Sequence, residues 1–127
     1  DFTPENPSDG KLKKDGDAGL VVAFTQTVDV LATLVRQRRP GQVIVGFAAE
    51  TAGSASALLE LGRAKLARKG CDLLVLNDVS GGAVFGAADN TVAIIDPDGV
   101  VGTVAGDKNL VAHRILDAVA TSRKSNR

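Results

Sequence analysis

The 127-residue chain is long enough to form one domain around a single hydrophobic core. Its 15 lysine and arginine residues balance 15 aspartate and glutamate residues, so we expect neither nucleic acid nor an anionic membrane surface as a partner. The single cysteine excludes an internal disulfide and a multi-thiolate zinc site. No apolar run approaches the roughly 18 to 20 residues that span a bilayer, and we expect a cytoplasmic protein.

The first third of the sequence predicts an exposed loop, then a strand and a helix. Residues 1–18 are rich in proline, glycine, aspartate and lysine, which is typical of a loop. The short run "LVVAF" (20–24) is apolar and β-branched and predicts a strand. Apolar residues then recur at helical spacing between positions 28 and 35, before the breaker pair Pro40-Gly41.

The middle of the chain reads as strand, helix, strand. "QVIVGFAAE" (42–50) and "CDLLVLND" (71–78) are nearly continuous apolar runs, as expected in a parallel sheet covered on both faces. The segment between them predicts a helix with Ser54 or Ser56 as the N-cap and Gly70 at the C-terminal end. This order is typical of a βαβ unit with a right-handed crossover.

The last third predicts a glycine-rich loop (80–90), a hairpin (91–104) and a terminal helix (107–122) before a polar tail (123–127). We therefore predict a single domain over residues 1–127, with its α/β body at 19–122. The predicted class is Rossmann-like and three-layered, with a mostly parallel sheet, helices on both faces and a terminal hairpin.

Two lysines on the predicted central helix are candidate ligand-binding residues. Lys65 and Lys69 lie four positions apart, so a helix projects both from one face. Two such ammonium groups can bind a triphosphate as point charges. Their position near the end of the helix is also explained by the helix dipole, which favours cations there. The spacing alone does not decide between these explanations.

Two further residues have both a functional and a structural explanation. Lys11 opens the basic run "KLKK", which is either an arm that closes over phosphates or a solvated surface stretch. Phe47 lies near the end of a predicted strand, at the rim where open α/β sheets bind ligands, but it equally fits a core position.

Four stretches together resemble the phosphopantothenoylcysteine synthetase family. They are "VGFAAET" (45–51), "AKLARKGCDLLVLNDV" (64–79), and the pair "DFTP" at the start with "KLKK" ten residues on. The segment "TVDVL" (27–31) corresponds to the family's NPDIL and departs from it at Thr27 and Val28. The resemblance covers nearly the whole chain and corresponds to the carboxyl-terminal half of the ligase domain. It therefore implies a fold that is incomplete relative to the full family domain.

This resemblance implies a carbon–nitrogen ligase of coenzyme A biosynthesis that joins 4'-phosphopantothenate to L-cysteine, using CTP and Mg²⁺, through an acyl-cytidylate. It implies a homodimer, FMN only if an upstream decarboxylase domain exists in the parent protein, and a catalytic role for Lys11. Metal ligands remain unassigned. The family's nucleotide-binding positions correspond here to Asp1, Lys11, Val28, Asp29, Val30, Leu31, Phe47, Lys65 and Lys69.

We expect the isolated chain to lack turnover, because the family's amino-terminal half of the domain is not among these residues. The alternative function is a non-catalytic, Rossmann-like module for nucleotide binding or protein interaction.

Overall fold

The computed structural model describes residues 1–13, 19–79 and 89–125. Most of the predicted loop at 80–90 and the end of the tail lie outside these ranges. The described elements in chain order are β1 (Phe2–Pro4), β2 (Phe24–Gln26), α1 (Val30–Arg36), β3 (Val45–Glu50), α2 (Ala55–Lys69), β4 (Leu73–Asp78), β5 (Asp89–Asp96), β6 (Gly99–Asp107) and α3 (Lys108–Ser125). Residues 123–125, predicted to belong to the tail, continue α3.

The main sheet has four described strands in the order β3-β4-β5-β6. β3 and β4 are parallel, and α2 connects them as the predicted crossover. β4 pairs with β5, and β5 with β6, in the antiparallel direction. The α/β, Rossmann-like class and the terminal hairpin are confirmed, but the described sheet is mixed rather than mostly parallel. The hairpin accounts for the antiparallel β5–β6 pair, and the further difference is that β5 also runs antiparallel to β4, which leaves β3–β4 as the one parallel pair among the described strands of this sheet.

Helices cover both faces of this sheet, which confirms the three-layer arrangement. On one face α1 and α2 pack on the strands through a core that includes Leu31, Leu66, Leu74, Leu76 and Ile95. On the other face α3 contributes a second core, which contains Val75, Val92, Ile94, Val104 and Ala118. β4 supplies side chains to both cores, as expected for a strand buried on its two faces.

The predicted strand at 20–24 is wrong in position. Only Phe24 of that run belongs to a strand, and Val21 is 95% exposed. β2 instead pairs with β1 in a separate two-stranded antiparallel sheet, in which Phe2 lies opposite Gln26. The backbone partner, and not the apolar run, therefore sets where this strand begins.

The ends and the packing of α2 follow from three small residues. Ser54 is the N-cap and accepts a hydrogen bond from the Ala57 amide at 3.2 Å. Gly70 ends the helix with a φ of 71°, in the left-handed region that glycine adopts without strain. Gly62 faces β4 so closely that a Cβ atom there would lie 2.2 Å from the Leu76 Cδ1 atom. The absence of a side chain at position 62 thus lets α2 approach the sheet.

Candidate functional site

The carboxyl end of β3 carries an ion pair with α2. Glu50 is the last residue of β3 and shares with Gly46 and Ala48 the sheet face that α2 covers, because alternate strand residues point the same way. The Glu50 carboxylate accepts a hydrogen bond from the Lys65 ammonium, and the two side chains are 22% and 28% exposed. Lys65 therefore places its charge at the rim of the sheet.

The second lysine of α2 lies one turn further on and pairs with a different acid. Lys69 donates a hydrogen bond from its ammonium to the Asp29 Oδ2 atom. The other oxygen of Asp29 accepts the Ala32 amide at 3.0 Å, which makes Asp29 the N-cap of α1. One carboxylate thus joins the start of α1 to the end of α2.

Asp29 is held in its ionised form by these contacts. The hydrogen bond from Lys69 is the main cause that lowers the pKa of this carboxyl below its ordinary value of 3.8, and the hydrogen bond from the Ala32 amide adds to it. At neutral pH the pair is therefore a carboxylate with an ammonium group.

A cavity of about 360 Å³ lies beside this ion pair. The β1–β2 pairing forms one wall, fixed by a hydrogen bond of 3.0 Å from the Thr27 amide to the Asp1 carbonyl. The residues that line it are Asp1, Phe2, Gln26, Thr27, Val28, Asp29, Val30 and Lys69. Five residues singled out from the sequence therefore meet at one cavity, namely Asp1, Val28, Asp29, Val30 and Lys69.

The four other candidate residues do not line this cavity, and one of them, Lys65, has been described above. Leu31 packs against the core under α1 and α2. Phe47 is 70% exposed and pairs in register with Val75, which places it on the sheet face opposite α2. Lys11 is exposed on the segment 11–13. The core explanation for Phe47 is thus wrong, while the assignments of all three residues to a nucleotide remain predictions.

Glu50 was not singled out in the sequence, although the structure places it against Lys65. The available signal was an acidic residue that ends an apolar strand, at the edge where open α/β sheets bind ligands. Sequence spacing cannot show which basic residue such an acid contacts, because the two lie 15 positions apart.

A larger cavity, of about 730 Å³, lies near Cys71 and the β5–β6 turn. Two of the charged residues that line it, Arg38 and Asp72, pair with each other. Arg38 contacts the Asp72 carboxylate and the Gly70 carbonyl at 3.0 Å each. The same carboxylate accepts the Ile44 amide at 2.7 Å. The candidate residues from the sequence gather instead at the smaller cavity, where Lys69 lies at the wall and Lys65 lies one helical turn away.

Two further observations concern only residues 1–13, 19–79 and 89–125. No group of three or more His, Cys, Asp and Glu residues is arranged there to hold a metal ion. None of the helices in these ranges combines the length and the apolar character needed to cross a membrane.

Asp29→Asn is expected to change how stability depends on pH. Asparagine caps a helix about as well as aspartate, so the substitution mainly removes the charge opposite Lys69. Because folding lowers the pKa of Asp29, its ionised form adds stability above the ordinary value of 3.8, and this stability is lost as the pH falls through the lower folded-state value. Urea unfolding should therefore find the wild type more stable at pH 7, with the difference shrinking below pH 3.8.

Asp9→Asn, at an exposed position of the amino-terminal segment, is the matched control and should show no such difference. If the difference in unfolding free energy between the wild type and Asp29→Asn stayed constant from pH 7 to below pH 3.8, the ion pair could not be its source.

Comparisons with known proteins agree on one family. The family model described as "DNA/pantothenate metabolism flavoprotein C-terminal domain" matches residues 1–122. The Coenzyme A biosynthesis bifunctional protein CoaBC of Mycobacterium tuberculosis is 41% identical over 127 residues, which are 95% of this chain and 30% of that protein. The Bacillus subtilis protein of the same name is 44% identical over 100 residues, covering 78% of this chain and 23% of its own length. The chain thus spans less than a third of these relatives.

Solved structures show the same fold. The C-terminal domain of a CoaBC protein superposes with a TM-score of 0.62 at 31% identity, over 80% of this chain and 48% of that one. A Cab2 variant in complex with phosphopantothenate-cysteine has a TM-score of 0.63 at 20% identity, over 90% of this chain and 35% of that one. Because its sequence identity is only 20%, the similarity to the Cab2 variant supports the fold and nothing further.

Proposed function

Because this chain belongs to the DNA/pantothenate metabolism flavoprotein C-terminal domain family, we propose that it is the carboxyl-terminal part of a phosphopantothenate–cysteine ligase domain. The observation that supports this most is the cavity that gathers Asp1, residues 28–30 and Lys69. Lys65 and its partner Glu50 stand one helical turn away. The nucleotide is proposed to be CTP, and the pathway is coenzyme A biosynthesis in the cytoplasm.

The proposed reaction has two steps. The carboxylate of 4'-phosphopantothenate attacks the α-phosphorus of CTP, which forms an acyl-cytidylate and releases pyrophosphate. The amine of L-cysteine then attacks the acyl carbon, so that an amide forms, a proton leaves the nitrogen and CMP departs. Both steps move negative charge onto phosphate oxygens, which pre-placed cations stabilise.

Each candidate residue has a proposed role in this chemistry. Lys65 and Lys69 bind the triphosphate and offset the charge that grows as pyrophosphate leaves. The backbone of residues 28–31 lines the nucleoside pocket. Phe47 lies on the sheet face opposite α2, and its proposed contact with the nucleotide rests on the family resemblance alone. Asp1 and Lys11 bind the ribose and base, and Lys11 reaches in from its exposed segment to assist catalysis.

Mg²⁺ is proposed to be held mainly by the triphosphate and water, as is common for this ion, with no set of protein ligands assigned. When bound, it supplies further neutralisation of the phosphate charge. FMN would belong to a decarboxylase domain upstream in the parent protein, and no residue of this chain is assigned to it. We further propose a homodimer, in which the β5–β6 hairpin forms the contact.

Thermal unfolding with nucleotides tests this proposal against the alternative of a non-catalytic module. We expect the midpoint temperature of the 127-residue chain to rise with Mg·CTP and to stay unchanged with Mg·ATP, because binding to the folded state stabilises it. No shift with either nucleotide would favour a non-catalytic module for protein interaction.

The same preparation tests the dependence on the rest of the family domain. We expect no steady-state formation of phosphopantothenoylcysteine by the isolated chain, and restored turnover when the amino-terminal half of a family domain is joined to it. Full ligase activity of the 127 residues alone would overturn this part of the proposal.

A further inference from the structure

We propose that Glu50 is a positioning residue, which fixes the Lys65 ammonium where the triphosphate binds. The inference rests on the proposed function and adds to it a residue that the family resemblance did not supply. It starts from the ion pair between the last residue of β3 and the third turn of α2.

The backbone around this pair is rigid on both sides. Glu50 is paired in register with Asp78 of β4, and its carbonyl accepts the Val79 amide at 2.9 Å. Lys65 precedes Leu66, which is buried in the core and anchors α2 to the sheet. The close approach at Gly62, one turn earlier, fixes the distance between helix and strand. A carboxylate and an ammonium on two fixed elements therefore meet without a mobile segment between them.

The chemistry of lysine explains why such a partner is useful. The side chain is a flexible four-carbon stem with a compact charge, and it loses rotamer freedom when it is held in one place. Pairing with Glu50 removes that freedom before a ligand arrives. The ammonium has three donors, so one hydrogen bond to Glu50 leaves two for phosphate oxygens. Protein kinases use a lysine–glutamate ion pair in the same way to place a lysine on nucleotide phosphates.

A different role makes the opposite prediction. If Glu50 only neutralised Lys65, its carboxylate would compete with the triphosphate, and its removal would strengthen binding. Partial burial of both side chains favours positioning, because a charge pair shielded from water holds its geometry better than an exposed one. The sign of the change in affinity therefore distinguishes the two roles.

The experiment measures the dissociation constants of Mg·CTP and of CMP for the 127-residue chain by isothermal titration calorimetry. Glu50→Ala is expected to weaken Mg·CTP binding by about tenfold and to leave CMP binding unchanged, since only the triphosphate depends on Lys65. Glu50→Gln should fall between the wild type and Glu50→Ala, because its amide oxygen still accepts a hydrogen bond. Glu60→Ala, at an exposed acid of the same helix, is the matched control.

A double-mutant cycle shows whether Glu50 acts through Lys65. In the Lys65→Gln background, Glu50→Ala should cause no further loss of Mg·CTP affinity. The inference is overturned if Glu50→Ala binds Mg·CTP as well as or better than the wild type, or if it weakens CMP binding equally. It is also overturned if the losses of binding free energy from Glu50→Ala and Lys65→Gln add in the double variant.

The outcomes also separate this inference from the proposed function. If the wild type binds Mg·CTP and Lys65→Gln weakens it while Glu50→Ala does not, the inference alone fails. If the wild type does not bind Mg·CTP at all, the proposed function fails and the inference fails with it.

Discussion

Lys65→Gln is expected to weaken the binding of Mg·CTP by about 10- to 100-fold, the range given by loss of a hydrogen bond to a charged group. Glutamine keeps a comparable length and polarity but removes the charge that faces the phosphates. CMP should bind almost as well as to the wild type, because its single phosphate does not extend to Lys65. The measurement is a pair of calorimetric titrations, one with each nucleotide, at a fixed salt concentration.

Arg68→Gln is the matched control, because it removes one positive charge from an exposed position of the same helical turns. It should change the affinity for either nucleotide by no more than about twofold, because water and salt screen the charge of an exposed side chain. An equal loss of Mg·CTP and CMP binding in Lys65→Gln would reject the placement of this side chain at the triphosphate.

Gly62→Ala is expected to destabilise the protein by about 1 to 3 kcal/mol, although alanine is the better helix former. The new methyl group would lie 2.2 Å from the Leu76 Cδ1 atom, and Leu76 is fully buried. Leu76→Ala alone should cost about 2 to 5 kcal/mol, because it leaves a cavity in the core. The free energy of unfolding from urea titrations measures both effects.

Combining the two substitutions tests the packing directly. Leu76→Ala opens the space that the methyl group added at position 62 needs, so the double variant should be more stable than the sum of the single losses predicts, by roughly 0.5 to 3 kcal/mol. Gly53→Ala, where an added Cβ meets nothing within 4 Å, is the control and should be nearly neutral. Strict additivity would show that α2 does not contact β4 at this point.

The β3–α2–β4 unit could be predicted from the sequence because each of its parts has a local signal. The apolar runs at 42–50 and 71–78 indicate strands, and Ser54 and Gly70 mark the ends of the helix between them. The terminal hairpin was predicted from its turn residues, but the antiparallel pairing of β4 with β5 was not, since strand direction depends on how the connections run and not on apolar periodicity. β2 was misplaced for a related reason, because its position is set by pairing with β1.

The candidate site was partly predictable. Helical spacing placed Lys65 and Lys69 on one face of α2, and in the structure the first pairs with Glu50 and the second with Asp29. Their carboxylate partners could not be assigned, because Asp29 and Glu50 lie 40 and 15 positions away from them in the chain. The family resemblance supplied the residues at 28–31, for which the sequence pattern alone indicates only the start of a helix.

The central claim is that the nucleotide binds beside Lys65 and Lys69, and not in the larger cavity near Cys71 and the β5–β6 turn. Backbone amide chemical shifts of the chain, recorded during titration with Mg·CTP, test it directly. We predict the largest changes at residues 26–30 and Lys69, which line the smaller cavity, and at Lys65. Changes concentrated at residues 96–101 and 118–122, which surround the larger cavity, would contradict the account.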